Sequence, residues 1–333
     1  MNLPPLLRFL LWPLSVLYGG YVRFRAWLYA RGWLKQKRLR GKVISVGNLT
    51  VGGTGKTPMV LWLAEKFLEE GKRVAILSRG YRGSGGTSDE IEMMKHRLQN
   101  RVAFGVGKNR FAEGHRIEEQ QPIDVFLLDD GFQHFPLARD LDIVMLDGSR
   151  KLKDQWLLPS GILREPVSAC RRADILVVTR KMECPDIEAG DAHNYSIFYA
   201  QTRLLGFRRL GSRAGIQSLS EIGHGPFFAF CGIGNPGAFF DDLRRWNVTL
   251  AGQEAFRDHH RYTAADLRRL EKSAHAAGAI AFVTTEKDAE NLAEASSAAI
   301  PIFVSVIDFV FTAESDFVAA LERKMQSPGG ALA

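Results

Sequence analysis

The sequence predicts an α/β protein in which helices cover both faces of a largely parallel sheet, followed by a smaller C-terminal α/β domain. From Val43 onward, short runs of β-branched and apolar residues alternate with helix-length segments, which is typical of parallel strands joined by helices. The runs are almost continuously apolar, as strands buried on both faces are. The chain has 333 residues, of which 46% are hydrophobic and 24% charged, so it can bury a core. This length corresponds to about two domains.

The net charge of +7 is concentrated at the N-terminus. Residues 1–42 contain nine Lys or Arg and no Asp or Glu, whereas the rest of the chain has 35 basic and 37 acidic residues. The globular part is therefore nearly neutral, and we expect no nucleic-acid partner. The cysteines Cys170, Cys184 and Cys231 form no CxxC pair, which argues against a disulfide framework and a thiolate metal site.

Residues 1–40 are predicted to form a basic, helical arm associated with a membrane. The apolar run from Phe9 to Tyr18 has ten residues, and a spanning helix needs about 20. Most of the positive charge follows the run, unlike the charge of a secretory signal peptide. Its Trp, Tyr, Leu and Arg residues favour a position on an anionic membrane surface. The alternatives are an amphipathic helix packed on its own domain and, less favoured, a true span or an RNA contact.

The first α/β domain is expected over residues 41–194 and the smaller one over 226–333. The candidate strands are Val43–Val46, Val74–Leu77, Val125–Leu128, Ile143–Leu146, Ile175–Thr179, Phe227–Cys231, Ile280–Thr284 and Ile302–Val306. Between the domains, residues 195–225 lose the alternation and contain scattered Gly, Ser and Arg, which predicts a connection.

A glycine-rich turn joins the first strand to a helix predicted over residues 58–70. It ends in Gly55-Lys56-Thr57, as in P-loop NTPases, where loop amides surround phosphate oxygens, the lysine reaches the β- and γ-phosphates and the hydroxyl binds Mg²⁺. The match to GxxxxGK[ST] is incomplete, because Thr50 stands at the first glycine position. The residues predicted to bind nucleotide are Thr50, Val51, Gly52, Gly53, Thr54, Gly55, Lys56 and Thr57.

Another apolar strand ends in Asp129 and Asp130. This places two carboxylates at the carboxyl edge of the sheet, where a Walker-B aspartate meets the metal of a P-loop enzyme. We predict that one of the two binds Mg²⁺ together with Thr57, and the sequence does not decide which. The alternative is that they cap a turn or a helix. His134, shortly after them, is either a substrate contact or a packed histidine.

Four motifs in sequence order resemble those of the tetraacyldisaccharide 4′-kinase family. They are SVGNLTVGGTGKTP (45–58), LSRGYRG (77–83), LLDDGFQH (127–134) and LPSGILREP (158–166). The resemblance extends from the arm to the segment Thr285–Asp288. It implies ATP- and Mg²⁺-dependent transfer of the γ-phosphoryl group to the 4′-hydroxyl of an acylated glucosamine disaccharide 1-phosphate. The product, lipid IVA, would form at the cytoplasmic face of the bacterial inner membrane, with the enzyme peripheral or monotopic.

The resemblance also implies an aspartate, paired with a histidine from the C-terminal domain, that activates the acceptor hydroxyl. The counterparts are Asp89 and His259, with His260 as the alternative histidine and Lys56 as a further catalytic residue. Glu90 is the implied additional metal ligand. Otherwise, the two acidic residues would be a solvated pair on a loop. Both histidines are predicted to precede a helix that opens with the capping-box spacing Thr263–Asp266.

Several further polar residues are candidate substrate contacts, since a lipid phosphate requires cationic side chains. They are Arg79, Arg82, Gln133, His134 and Arg164. For the arginines, the alternative is an ordinary surface position. Residues Thr285, Lys287 and Asp288 are predicted equally as ligand contacts or as a helix cap.

Two other functions remain open from the sequence alone. One is a membrane-peripheral P-loop kinase with a different acceptor. The other is a partner-regulated ATPase, but the signature lysine of that class would fall at Val51.

Overall fold

The computed structural model describes residues 4–80, 89–149, 151–152, 155–180, 195–212, 215–292 and 300–326. Its helices are α1 (Pro5–Ala30), α2 (Lys56–Glu69), α3 (Asp89–Leu98), α4 (Arg110–Gln120), α5 (Leu219–Ile222), α6 (Pro236–Arg245), α7 (Ala264–Ala276), α8 (Glu286–Glu290) and α9 (Glu314–Gln326). Its strands are β1 (Lys42–Asn48), β2 (Val74–Ser78), β3 (Ala103–Val106), β4 (Val125–Asp129), β5 (Leu141–Asp147), β6 (Ile175–Thr179), β7 (Ser196–Arg209), β8 (Phe227–Cys231), β9 (Leu250–Ala255), β10 (Ala281–Thr285) and β11 (Ile302–Phe311).

The chain divides into two compact units. The first unit comprises Met1–Gly80, Leu98–Gln201 and Phe309–Ala333, and the second comprises Tyr81–Arg97 and Thr202–Asp308. These boundaries differ from the expected domains, because residues 81–97 belong to the second unit and the C-terminal segment belongs to the first.

The first unit is built on parallel strands in the order β3-β2-β4-β1-β5-β6-β7. Strands β2, β4, β5 and β6 are buried along their whole length, which explains their continuous apolar sequences. Helix α2 packs on β1 and β4 through the buried side chains of Met59, Val60 and Leu63. In the register of β1 and β4, Val46 lies beside Asp129, so the loop after β1 and the acidic end of β4 leave the sheet at the same edge.

The second unit has parallel strands in the order β11-β10-β8-β9. Its core is rich in phenylalanine, and Phe227, Phe230 and Phe282 are completely buried. Phe230 makes edge contacts with Phe282 and with Tyr262, which lies just before α7. These contacts attach the loop between β9 and α7 to the middle of the sheet.

The parallel α/β fold predicted from the sequence is confirmed, but the prediction of a mere connection over residues 195–225 is wrong. The structure has a strand of 14 residues there, β7, followed by the short helix α5. Exposed and half-buried residues alternate along much of β7, so it lacks the continuous apolar run that marks the other strands. Strand β9 is half-exposed and was missed for the same reason, whereas β3 was missed because it has only four residues and contains Gly105.

The N-terminal arm forms one helix, α1, of 26 residues. It is attached to the first unit through the buried Ser15 hydroxyl, which donates to the Leu157 carbonyl at 3.0 Å and lies 2.8 Å from the Ser160 hydroxyl. Its Tyr18 hydroxyl donates to the carbonyl of Arg164 at 2.9 Å. Large apolar side chains nevertheless remain exposed along the helix: Leu6, Phe9, Leu10, Trp12, Leu14, Val16, Leu17, Tyr21, Phe24 and Trp27. Within the described part of the chain, no helix combines the length and the apolar character needed to cross a membrane.

Candidate active site

The glycine-rich turn between β1 and α2, residues 50–57, is the phosphate loop. Its first half is fixed to residues 162–164 of the LPSGILREP segment. Thr50 pairs with Leu163 in an antiparallel bridge, and the Val51 amide donates to the Ile162 carbonyl at 2.8 Å. The Val51 amide is therefore already used within the protein.

The second half of the phosphate loop is anchored by the Asn48 side chain, whereas its end at α2 carries no capping side chain among the described residues. The Asn48 side chain donates to the Thr54 hydroxyl at 3.0 Å, and Thr54 is buried. Gly55, with φ of +87°, is the N-cap of α2, and a side chain there would meet Phe309 at 3.3 Å. Among the described residues, no side chain caps the start of α2. The free amides and positive end of this helix therefore form a suitable cradle for phosphate oxygens.

Lys56, the first residue of α2, lies beside the acidic end of β4. Its Nζ is 3.4 Å from Asp130 Oδ1, and Arg164 Nη1 lies 2.8 Å from both oxygens of the same carboxylate. Burial raises the pKa of Asp130, but the charges of Lys56 and Arg164 outweigh this effect and bring its pKa below the ordinary value. Asp130 also has φ of +50°, a conformation that is uncommon for non-glycine residues.

Asp129, the last residue of β4, is buried and accepts a hydrogen bond from the Ser78 hydroxyl at 3.3 Å. Its neighbour Asp130 points to the phosphate-loop lysine. The two aspartates predicted to lie near a metal thus have different environments. No group of three or more acidic, histidine or cysteine side chains within the described ranges could hold a metal ion alone. The few oxygen donors predicted here, from Thr57 and from Asp129 or Asp130, suit Mg²⁺, which is usually held by one or two protein oxygens together with substrate phosphates and water.

Arg110 and His134 form a further contact at the same end of β4. Arg110 is buried; its guanidinium lies 3.1 Å from His134 Nδ1 and donates to the Asp129 carbonyl at 3.2 Å. Burial lowers the pKa of His134 to about 3, with a further contribution from Arg110 and smaller ones from other arginines, including Arg79. His134 is therefore neutral, and Nδ1 accepts the hydrogen bond from Arg110. The sequence analysis did not identify Arg110.

The remaining predicted substrate contacts have different environments. Gln133 donates from its side chain to the Asn48 carbonyl and to Glu165, both at 3.0 Å, so it supports the loop. Arg164 pairs with Asp130. Arg79 is exposed directly after β2, whereas Arg82 lies outside the described residues.

In the second unit, the structure brings Asp89 and His259 together. Asp89 is the first residue of α3, rather than part of a loop as in the alternative interpretation, and its two carboxylate oxygens are each 3.0 Å from His259 Nδ1. The alternative histidine, His260, instead lies 3.1 Å from Asp266 and stacks on Phe256. Both histidines precede α7, as predicted, and Thr263 caps that helix in a capping box with Asp266.

The pair is held in an uncommon backbone conformation. His259 has φ of +59°, and its amide donates to the Gly232 carbonyl at 3.1 Å. A side chain at Gly232 would meet the Arg257 carbonyl at 2.9 Å, so only glycine permits the approach of this loop. The hydrogen bond to Asp89 raises the pKa of His259 in spite of burial and the nearby Lys287 charge. Burial raises the pKa of Asp89, but His259 and Lys287 bring it below the ordinary value.

Lys287, which the sequence left open between a ligand contact and a helix cap, and Asn291, which it did not indicate, complete this arrangement. Lys287 Nζ lies 3.3 Å from Glu90 Oε1 and 2.9 Å from Asp258 Oδ1, and Asn291 donates to Asp89 Oδ2 at 3.1 Å. We call Asp89, Glu90, Asp258, His259 and Lys287 the Asp89 cluster. The other residues of the motif have the predicted capping role: the Thr285 hydroxyl accepts the Asp288 amide, and the buried Asp288 carboxylate accepts the Gly232 amide and the Tyr262 hydroxyl.

Cys170 and Cys231 are both buried and form no disulfide with each other, and Cys184 lies outside the described residues. Burial raises the pKa of the Cys231 thiol far above the ordinary value. Within the described residues, the cysteines therefore contribute to packing rather than to chemistry.

Comparison with known proteins identifies the family. The family model "Tetraacyldisaccharide-1-P 4'-kinase" (LpxK) matches residues 7–326. The tetraacyldisaccharide 4′-kinase of Pelobacter propionicus is 38% identical over 85% of this chain and 82% of its own. That of Geobacter metallireducens is 37% identical over 93% of this chain and 96% of its own. The crystal structure of an "apo" form of LpxK from Aquifex aeolicus in complex with ATP has a TM-score of 0.75 and 31% identity, covering 96% of this chain and 99% of that chain. The resemblance of the four motifs is thereby confirmed, and the chain belongs to the tetraacyldisaccharide 4′-kinase family.

Proposed function

We propose that this protein transfers the γ-phosphoryl group of ATP to the 4′-hydroxyl of tetraacyldisaccharide 1-phosphate in lipid A biosynthesis. Membership of the kinase family and the names of its relatives support the reaction. The observation that carries the proposal is the phosphate loop, in which Lys56 starts a helix with open amides and faces the strand-end carboxylate of Asp130.

ATP is the nucleotide we assign to the phosphate loop, since the Aquifex aeolicus relative was crystallised with it. The amides of Gly53, Thr54 and Gly55 and the start of α2 would surround the phosphates. Lys56 would leave Asp130 for the β- and γ-phosphates, while Arg164 would continue to hold that carboxylate. Val51 is omitted from the ligand set, because its amide already donates to Ile162.

Mg²⁺ is the metal that fits the oxygen donors of the first unit. The Thr57 hydroxyl, with Asp129 or Asp130, would hold it directly or through water. When bound, Mg²⁺ neutralises negative charge on the β- and γ-phosphates. Glu90 is omitted from this set, because its carboxylate is paired with Lys287.

Residues of this chain accept the proton that is released and stabilise the charge that develops during the transfer. The 4′-oxygen forms a bond to the γ-phosphorus while the bond from that phosphorus to the bridging β,γ-oxygen breaks, and ADP leaves. Asp89 accepts the proton of the 4′-hydroxyl, and His259 orients the carboxylate by donating from Nδ1. Lys56 stabilises the charge that develops on the leaving oxygen.

The acceptor is an acylated lipid, and α1 gives the protein a surface suited to the membrane in which such a lipid resides. The helix exposes a row of large apolar side chains, and basic residues follow it directly. We propose that α1 lies in the interface of an anionic membrane, at the cytoplasmic face of the bacterial inner membrane, and holds the enzyme peripherally. Arg79 is our candidate for a contact with the lipid phosphate, because it is exposed and its charge acts on the buried Arg110.

The reaction is tested by incubating the protein with γ-labelled ATP and tetraacyldisaccharide 1-phosphate in detergent and separating the lipids by thin-layer chromatography. We expect labelled lipid from the wild-type protein. Asp89→Asn should lower turnover by about 10²- to 10⁴-fold, because it removes the proton acceptor.

Binding of a fluorescent ATP analogue provides the control, and it should be nearly unchanged in Asp89→Asn. Absence of labelled lipid from the wild-type protein would contradict the proposed reaction. If Asp89→Asn lost nucleotide binding instead, Asp89 would belong to the nucleotide site.

A further inference from the structure

The segment Thr285–Asn291, which contains α8, contacts both partners of the Asp89–His259 pair. Asn291 donates to Asp89, and Lys287 lies beside His259. The same segment is fixed to α3, which carries Asp89, by an ion pair between Arg97 and Glu286 at 3.2 Å and by a contact of 3.0 Å between His96 Nδ1 and Glu290 Oε1. One short segment therefore sets the position of the helix that bears Asp89 and approaches the ring of its partner.

The position of the segment relative to His259 is also fixed. The buried carboxylate of Asp288 accepts hydrogen bonds from the Gly232 amide at 2.8 Å and the Tyr262 hydroxyl at 2.9 Å. Gly232 in turn accepts the amide of His259 through its carbonyl. Lys287 thus extends from a backbone that is tied to the loop carrying His259.

Lys287 approaches the ring nitrogen of His259 that does not face Asp89. Its Nζ lies 3.4 Å from His259 Nε2, 2.9 Å from Asp258 and 3.3 Å from Glu90, and only 14% of its side chain is exposed. Burial alone would lower the pKa of Lys287, but Glu90 and Asp258 outweigh it and raise the pKa above the ordinary value, so the amine is charged.

An ammonium group has three donors and no acceptor. In a neutral histidine ring, the nitrogen that hydrogen-bonds to an ammonium group is therefore the acceptor, which leaves the ring proton on the other nitrogen. Nε2 of His259 faces Lys287, and Nδ1 faces both oxygens of Asp89. In this arrangement His259 donates to Asp89, and the carboxylate remains the group that receives the substrate proton.

We propose that Lys287 is a positioning residue for phosphoryl transfer: its ammonium group holds His259 as the Nδ1–H tautomer that donates to Asp89. This inference rests on the proposed role of Asp89 as the proton acceptor. Lys287 would act through His259 rather than on a substrate, and Asn291 assists by donating to the Asp89 carboxylate.

The test uses the full chain with Lys287→Met, Lys287→Arg and Lys95→Met. Lys95→Met is the matched control, since Lys95, as far as the described residues show, pairs with Glu92 on the same helix, α3. In the lipid kinase assay, we expect Lys287→Met to lower kcat by about 10- to 100-fold with little change in KM for ATP or lipid, because a misplaced catalytic group reduces turnover. Lys287→Arg should restore part of kcat, because it keeps a cationic donor near Nε2, and Lys95→Met should resemble the wild type.

A nitrogen NMR experiment on protein labelled at histidine gives a readout that a purely structural role would not change. The His259 signals, assigned with His259→Gln, should show a protonated Nδ1 and an unprotonated Nε2 in the wild-type protein. In Lys287→Met, Nε2 should become protonated in a substantial part of the molecules. If Lys287→Met does not fold, Lys287→Ala, which also removes the donor and suits a helix, replaces it in both measurements.

Unchanged kcat and an unchanged tautomer in Lys287→Met would overturn the inference, as would a raised KM with normal kcat. The proposed function fails separately, if Asp89→Asn is as active as the wild type or the wild type forms no labelled lipid. A dead Asp89→Asn with a fully active Lys287→Met would therefore reject the role of Lys287 alone.

Discussion

The phosphate loop and the Asp89 cluster differ in how the chain assembles them. The loop is one continuous stretch between β1 and α2. Its partners belong to short sequence motifs near the ends of neighbouring strands, such as Asp130 directly after β4. The Asp89 cluster joins residues that are 170 positions apart in the sequence, from α3, from the loop before α7 and from α8. A loop built locally depends on a few residues, whereas the cluster depends on how well several elements hold one another.

Removing the phosphate-loop lysine should have the largest effect. Lys56→Met should reduce turnover by about 10³-fold, because the developing charge on the phosphates loses its nearest cation. The free energy of unfolding should change little, since Arg164 still pairs with Asp130. Turnover is measured by the lipid assay, and unfolding by urea titration.

Lys66→Met provides the control for Lys56→Met, because Lys66 lies in the last turn of the same helix. It should remain as active as the wild type. If Lys56→Met instead kept nearly full turnover, the loop would not be the site of phosphoryl transfer.

A small change in the second unit should show that the Asp89 cluster depends on the packing of several elements. In Gly232→Ala, the new methyl group would meet the Arg257 carbonyl at 2.9 Å, His260 Cβ at 3.1 Å and Asp288 Oδ1 at 3.2 Å. The loop of His259 must then move, and we expect a loss of about 1–3 kcal/mol in unfolding free energy, with a clear fall in kcat. Nucleotide binding should be retained.

Gly237→Ala is the matched control for this variant, since a methyl group on Gly237 meets only Asn235 Oδ1, at 3.9 Å, and the position is helical. It should be neutral or slightly stabilising. Equal kcat values for Gly232→Ala and the wild type would show that the loop tolerates displacement and that the cluster is less demanding than its packing indicates.

The smallest expected effect is a pH dependence at the strand end beside the phosphate loop. The folded protein keeps His134 neutral, with a pKa of about 3, whereas the unfolded chain takes up the proton near the ordinary pKa. The unfolded state therefore binds more protons as the pH falls through that value, so stability decreases. Between about pH 7 and pH 5, the wild type should lose about 1 kcal/mol more than His134→Gln, with allowance for partial exposure of the ring.

Urea unfolding at the two pH values measures this difference directly. The same loss in both proteins would mean that His134 is protonated in the folded state as well. In that case the Arg110–His134 contact could not be the hydrogen bond described above, because a protonated ring has no acceptor.

The contrast also explains what the sequence could predict. Lys56, Thr57, Asp129 and Asp130 stand in motifs whose spacing follows from a strand, a turn and a helix, so their place at one edge of the sheet was predictable. Asp89 and His259 were inferred from the family resemblance alone, because no local pattern links a residue at the start of α3 to a loop 170 residues later.

Other parts of the site have almost no signature in the sequence. Asn291 follows a helix of only five residues and contacts Asp89 across 202 positions, which no spacing rule could anticipate. Lys287 belongs to a motif that fits a helix cap equally well, and both uses occur together: Thr285 and Asp288 form the cap while Lys287 faces the cluster. The buried Arg110 was missed because it sits just after the helix cap Asn109, where basic residues are usually solvated.

The attachment of α1 affects how its role should be studied. Its Ser15 and Tyr18 hydroxyls form hydrogen bonds with Leu157, Ser160 and Arg164. The same stretch pairs with the phosphate loop through Leu163. Deleting the helix would therefore remove a brace of the nucleotide site along with the apolar surface, and a loss of activity would have two causes.

Substitutions confined to exposed positions, such as Leu6→Ser and Leu17→Ser, leave the anchoring hydroxyls in place. They separate the two contributions, because any change in lipid turnover would then reflect the outer face of the helix. Helix α1 thus supports the segment next to the phosphate loop and also exposes an apolar surface. Single substitutions separate these two roles, whereas a deletion removes both.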